Sequence, residues 1–273
     1  DGPGAGEAYR TERQVAEPDG ESTRLWVPIL DSAERVGVLG TTVDALAPDD
    51  EARWALLAGL LGELVVTKSR YGDRVVTTRR TAPVRVAAEL RWALLPPLTF
   101  SSPDVIVTGI LEPAHRVAGD TFDYSVTRDA VTVALFDAMG HGLAAGRMAD
   151  LVVGVHRNRR RAGASLADGV AALDRAVAAE FGESQFVTAQ VGRLDLASGH
   201  LSLVNAGHPD AVVFHPDGSY EMLPIARCRP LGLGTDATRS VEVQLGEGDV
   251  VLLHTDGVEP GGDEPHRRHG QFP

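Results

Sequence analysis

The chain has 273 residues, a formal net charge of -12, 43% hydrophobic and 23% charged residues. That length allows one large domain or two ordinary ones with ample core. The acidic balance argues against nucleic acid as a partner, and no apolar stretch approaches the ~20 residues needed to span a bilayer. A single cysteine, Cys228, excludes an intramolecular disulfide. With a polar N-terminus that lacks a signal-peptide core, this points to a reducing cytoplasm. The first residue is Asp1, which reads as an excised or processed piece.

In chain order, residues 1–22 are rich in glycine and acids and read as a loop or disordered segment. Leu25 to Leu30 and Val36 to Thr42 predict a hairpin. Pro48-Asp49-Asp50-Glu51 opens a helix whose apolar stripe runs through Trp54, Leu57, Leu60, Leu61, Leu64 and Val65. A second helix, ending at Pro96-Pro97, is predicted around Val84 to Leu95; its apolar face suits either a dimer with its own copy or packing on its own domain. Strands follow at Val105 to Leu111 and Thr121 to Thr127, and then a central strand begins at Val131. Gly142 to Arg159 reads as a helix, and Arg157, Arg159, Arg160 and Arg161 read as its solvated end, offsetting the helix dipole. Ser165-Leu166-Ala167-Asp168 resembles a capping box opening a helix to Phe181. Thereafter the period is two: hairpins at Ala189–Leu196 with His200–Asn205 and at Val212–His215 with Tyr220–Leu223, then strands at Val241–Leu245 and Val250–His254. Mostly hairpin-joined strands around a helical pair predict antiparallel sheets with segregated helices, an α+β fold.

The chemistry centres on Val131-Thr132-Val133-Ala134-Leu135-Phe136-Asp137-Ala138-Met139-Gly140-His141-Gly142. Asp137 continues the alternation of Val131, Val133 and Leu135 to the strand end, and the glycines let backbone crowd around it. Asp120, after Gly119, and Asp256, before Gly257, sit in comparable punctuation. Each alone reads more readily as a turn or cap residue. Together they suggest a site for a hard divalent cation, which takes oxygen ligands. Other sites are excluded: Gly140-His141-Gly142 lacks the second strand of a dinucleotide fingerprint, no P-loop is present, and no nucleophile elbow accompanies any Ser/His/Asp set. Asp120 and Asp123 are spaced three apart, not two, as an aspartyl-phosphate pair would need. His141 and His208 each follow a glycine and read as loop-ordering hydrogen bonders.

These segments resemble the metal-dependent protein phosphatase (PPM, type 2C-like) family in its bacterial SpoIIE/RsbU branch. The branch's G-G-D-F-Y/F-D segment is matched by Ala118 to Asp123, with Ala118 and Thr121 as departures, and its D-x-x-G-H-G segment by Asp137 to Gly142. Phe186 to Ala189, Asn205 to His208, Pro230 to Gly232 and Thr255 to Glu259 match F-V/A-T-A, N-A-G-H, P-L-G and T-D-G-V/L-x-E, the last one residue short. The resemblance implies a two-sheet sandwich with helices outside. It also implies a phosphoserine/phosphothreonine phosphatase with two Mn²⁺ or Mg²⁺ ions, acting on a phosphorylated STAS-type anti-anti-sigma protein. On this basis Asp137 is assigned the position between the ions, Asp120 one ion and Asp256 the other, with the Ala138 backbone carbonyl completing a shell. The family's further metal-binding aspartate, in a D-D/N-x-T/A strand after T-D-G, has no counterpart before Pro273. The N-terminal part resembles the C-terminal half of a GAF sensor domain. The expected division is residues 1–79 for this module, 80–100 for the linker helix and 101–273 for the phosphatase domain. A module of another class, non-catalytic and binding signalling partners through the same fold, is the second reading.

Overall fold

The computed structural model describes residues 3–31, 34–44, 47, 49–69, 77, 89, 92–111, 118–182, 184–223, 228–235 and 239–258. Two compact units divide the chain: residues 1–83 with 97–110, and residues 84–96 with 111–273. The expected boundary at 100 thus moves, because the short hairpin of Thr99–Ser101 and Ile106–Thr108 groups with the first unit. Most of the expected linker helix, and Glu259 onward, lie outside the described residues. No helix among the described residues is long and apolar enough to cross a membrane.

The first unit opens with helix α1 (Pro3–Thr11) and strand β1 (Val15–Asp19), where the sequence analysis expects a loop. The expectation failed because β1, which contains Pro18, is ordered by pairing with β2 (Ser22–Asp31) and not by its own pattern. β3 (Glu34–Val43) completes a three-stranded antiparallel sheet in the order β1-β2-β3. The pleat divides β2 between two faces. Leu25 and Val27 are buried with Ala58 of helix α2 (Asp50–Ser69), whereas the Trp26 ring lies against Gly40 and Gly4 of α1. Helix α2 turns Trp54 and Ala58 to the sheet and leaves Leu56, Leu57, Leu60 and Leu64 exposed. Its predicted stripe is therefore split. The packing face is built from small residues: a Cβ at Gly62 would stand 2.6 Å from the Leu30 carbonyl oxygen, so only glycine permits this approach.

The hairpin strands of the first unit, residues 99–101 and 106–108, are β4 and β5, and the second unit begins its strands with β6 (Ala118–Val126) and β7 (Ala130–His141). Helices α3 (Gly142–Arg161) and α4 (Leu166–Phe181) follow. Ser165 caps α4 by accepting from the Asp168 N–H, as its sequence predicts. The remaining strands are β8 (Val187–Asp195), β9 (His200–Ala206), β10 (Val212–Phe214), β11 (Tyr220–Met222), β12 (Ser240–Gln244) and β13 (Val250–Leu252). They form a five-stranded sheet, β12-β9-β8-β7-β6, and a three-stranded sheet, β11-β10-β13, all neighbours antiparallel.

Alternation along β7 fixes what each face of the large sheet meets. Ala134, Phe136 and Ala138 pack with Met148 and Val152 of α3 and Leu173 of α4. On the other face a second core joins Leu203, Val241 and Val243 of the large sheet to Val213 and Val251 of the small one. The second unit is thus the expected α+β sandwich of two antiparallel sheets with flanking helices.

The helix face carries a buried ion-pair fork that sequence analysis missed. Asp123 pairs in register with Ala134 and therefore faces the helices. Its carboxylate accepts from Arg157 Nε at 2.9 Å and Nη2 at 2.7 Å, and from Arg160 Nη1 at 2.6 Å. Two of the four arginines read as solvated are in fact folded back, their side chains about a fifth exposed. Arg157 also donates to the Leu94 carbonyl at 2.6 Å. Removing one partner of a buried pair strands the other charge. Asp123→Ala should therefore cost about 3–5 kcal/mol, read as a lower urea midpoint for the second unit; an unchanged midpoint would show that the fork adds nothing.

Candidate metal centre

Register pairing brings the expected acids together. Asp120 on β6 stands directly opposite Asp137 on β7, and directly opposed residues share a sheet face. Because Ala134, Phe136 and Ala138 face the helices, Asp137 points the other way, to the side of the small sheet. Odd spacing separates the two acids of the first motif: Asp120 takes the site face and Asp123 the helix face.

The pairing depends on an irregularity. Between Ala118↔His141 and Asp120↔Asp137 the register shifts at Gly119, a bulge of the kind that re-aims a side chain. A Cβ on Gly119 would lie 1.9 Å from the Ala138 carbonyl oxygen and 2.7 Å from its nitrogen. Only glycine lets β6 cross so close to the backbone after Asp137. The Ala138 carbonyl named by sequence analysis consequently sits against the residue before Asp120.

Asp256 comes from the end of the other sheet, in a short 3₁₀ turn, Asp256–Val258, after β13. Its charge reaches Asp137. The Asp137 carboxyl is raised from 3.8 to about 6, first by burial, then by the carboxylates of Asp120 and Asp256. Among the described residues no three His, Cys, Asp or Glu side chains form a ligand group for a single ion.

A hydrogen-bonded layer supports this end of the sheet. Thr188 on β8 is the other register partner of Asp137, and its hydroxyl lies 2.7 Å from His208 Nδ1. His208 is 1% exposed and is depressed to about 4, chiefly by burial, against the pull of the His254 backbone and the Asp256 charge. A neutral ring therefore meets the strand that neighbours Asp137 and lies near the segment that carries Asp256. This agrees with the loop-ordering role read for His208; His141 is exposed and makes no side-chain cap of α3. Asn205 closes the turn before His208: its Oδ1 accepts from the His208 N–H at 2.7 Å and its Nδ2 donates to the His208 carbonyl at 2.9 Å. Gly207, at φ +71, leans on Pro230, and Leu231 exchanges backbone hydrogen bonds with Val187. Sequence analysis found these motifs but assigned Thr188 no role, since a hydroxyl's partner across strands has no local signal.

The donor set is all oxygen and carries an excess of negative charge, which fits Mg²⁺ or Mn²⁺. Without cation, the raised Asp137 value has a definite sign. Below about pH 4 the group is protonated folded or unfolded; between about 4 and 6 the folded state holds the proton more tightly, so stability falls as pH rises through that window. His208 and His156, both lowered to about 4 by burial, act oppositely below their usual 6.5. A difference measurement isolates Asp137: in EDTA, Asp137→Asn should gain melting temperature relative to the parent chain from pH 4 to pH 6.5. A pH-independent difference would show that no such repulsion exists.

The family model described as Stage II sporulation protein E (SpoIIE) matches residues 127–271, more than half of the chain. The phosphoserine phosphatase RsbU of Bacillus subtilis (strain 168) is 22% identical over 177 residues, covering 64% of this chain and 52% of that protein. The phosphoserine phosphatase RsbP of the same organism is 26% identical over 151 residues, covering 53% of this chain and 37% of that protein. The chain thus spans about half, or less, of the length of these relatives. Among solved structures, the SiaA-PP2C domain of Pseudomonas aeruginosa superposes with a TM-score of 0.50 at 22% identity, covering 63% of this chain and 69% of that one, a likeness of fold. The family match takes in both Asp137 and Asp256, and the chain belongs to the Stage II sporulation protein E (SpoIIE) family.

Proposed function

We propose that this chain is the catalytic part of a metal-dependent phosphatase that hydrolyses phosphoserine or phosphothreonine on a protein. Its substrate is a phosphorylated STAS-type anti-anti-sigma regulator in the cytoplasm, and the N-terminal unit is a GAF-like sensor module. The observation that carries the reading is the in-register pair Asp120 and Asp137, with the charge of Asp256 reaching Asp137 from the other sheet. The resemblance of RsbU and RsbP, both phosphoserine phosphatases, supports the substrate class.

Asp137 takes the shared position, Asp120 and Asp256 the flanking ones, with the Ala138 carbonyl as a further oxygen; two Mn²⁺ or Mg²⁺ ions are the proposed occupants. When bound, such ions supply a hydroxide near neutral pH and neutralise phosphate oxygens. The chain's own residues do the rest. Three carboxylates by themselves repel a phosphate dianion, so the bare site is inert. Gly119 and the β6–β7 register fix the spacing of Asp120 and Asp137, and the Thr188–His208 contact holds the floor beneath them.

The test is hydrolysis of p-nitrophenyl phosphate by the whole chain with and without Mn²⁺. Turnover should require the metal and vanish in EDTA, and Asp137→Asn should lower it at least about a hundredfold, the scale of losing a principal electrostatic group. Robust Mn²⁺-dependent turnover by the variant would overturn the assignment. Silence of the complete natural protein would favour a non-catalytic partner-binding module.

A further inference from the structure

At the opposite end of the helix face lies a pocket of about 510 Å³ between the start of β7, the later half of β8, the end of α3 and the beginning of α4. Thr132, in its wall, precedes Asp137 by five residues along β7, roughly 17 Å at strand rise, so this pocket is separate from the metal centre. Three guanidinium groups line it, those of Arg159, Arg160 and Arg193, together with His156, and no carboxylate lines it. That is an unusual wall for a chain of formal charge -12.

The arginines are not all accounted for internally. Asp123 holds Arg157 and Arg160, and Arg193 feels Asp195. Among the described residues Arg159 has no carboxylate partner, and its Nε is buried without a hydrogen-bond acceptor. His156, 5% exposed, has an Nε2 that is likewise buried and makes no hydrogen bond, Asp123 Oδ2 being 3.9 Å away. A buried donor without an acceptor costs about 1–3 kcal/mol, and both atoms belong to residues of a pocket wall that offers positive charge and no carboxylate. The α4 N-terminus is not what binds: Ser165 already caps it, and its hydroxyl donates to Asp168 at 2.7 Å.

We propose that this pocket is a binding site for a small organic phosphate, its phosphate held by Arg159, Arg160 and His156 and its organic part lying over Leu166 and Val191. Arginine's planar fork matches phosphate oxygens. The volume exceeds that of a bare oxyanion and falls in the range of small-molecule sites. Adenosine monophosphate serves as the probe, in EDTA so that the metal centre repels phosphate.

Calorimetric titration of the full chain should show saturable binding of AMP and none of adenosine. Arg159→Gln and the more exposed Arg193→Gln should each weaken AMP about tenfold, the worth of one charge-assisted hydrogen bond. In ¹⁵N spectra, AMP should shift the Arg159 Nε and His156 Nε2 resonances of the parent chain, a readout that stands even if Arg159→Gln fails to fold. AMP and adenosine titrating alike, variants as tight as the parent, or resonances that stay in place would each overturn the site.

Discussion

The pairing of β6 with β7 is the constraint from which the site and much of the scaffold descend. One bulge at Gly119, allowed because its missing Cβ leaves room for the Ala138 carbonyl, sets Asp120 across from Asp137. A one-residue slip would exchange the faces of every side chain on β6. It would send Asp120 toward the helices and Asp123 toward the site, away from Arg157 and Arg160.

The same alternation separates two uses of negative charge within six residues. On the helix face Asp123 is saturated by Arg157 and Arg160, and the pair locks α3 onto β6. On the opposite face Asp137 stands across from Asp120 and feels the charge of Asp256, at a cost visible in its raised carboxyl. A carboxyl raised by burial and by neighbouring acids is the kind of perturbation that clusters at functional sites. The buried histidines take part on both sides. Neutral His208 meets Thr188 beside the strand of Asp137, and His156, beside the fork, packs its ring edge-on to Phe136.

The acids of the proposed site come from two sheets. Asp137 lies within β7 of the large sheet, which runs on to His141, and Asp256 follows β13 of the small one. The Asn205–His208 turn and the Pro230–Gly232 segment lie between them in sequence, and both are pinned to the large sheet, through Thr188 and Val187 respectively. The sandwich core of Leu203, Val213, Val243 and Val251 holds the two sheets in the relation the acids require.

By itself the sequence determined the α+β class, nearly every strand and helix of the second unit, the capping of α4, and Asp120, Asp137 and Asp256 as the acids worth watching. Period, turn chemistry and glycine placement are local properties, and local properties are legible. Only the tertiary structure decided that residues 3–19 form a helix and an edge strand, because that order comes from pairing with β2. It likewise decided that α2 packs through Ala58 and Gly62 and that Arg157 and Arg160 fold back on Asp123. The arginine pocket, too, exists only once α3, α4 and the sheet are assembled. Each of these depends on which groups meet across long stretches of chain, and no spacing within a segment encodes that.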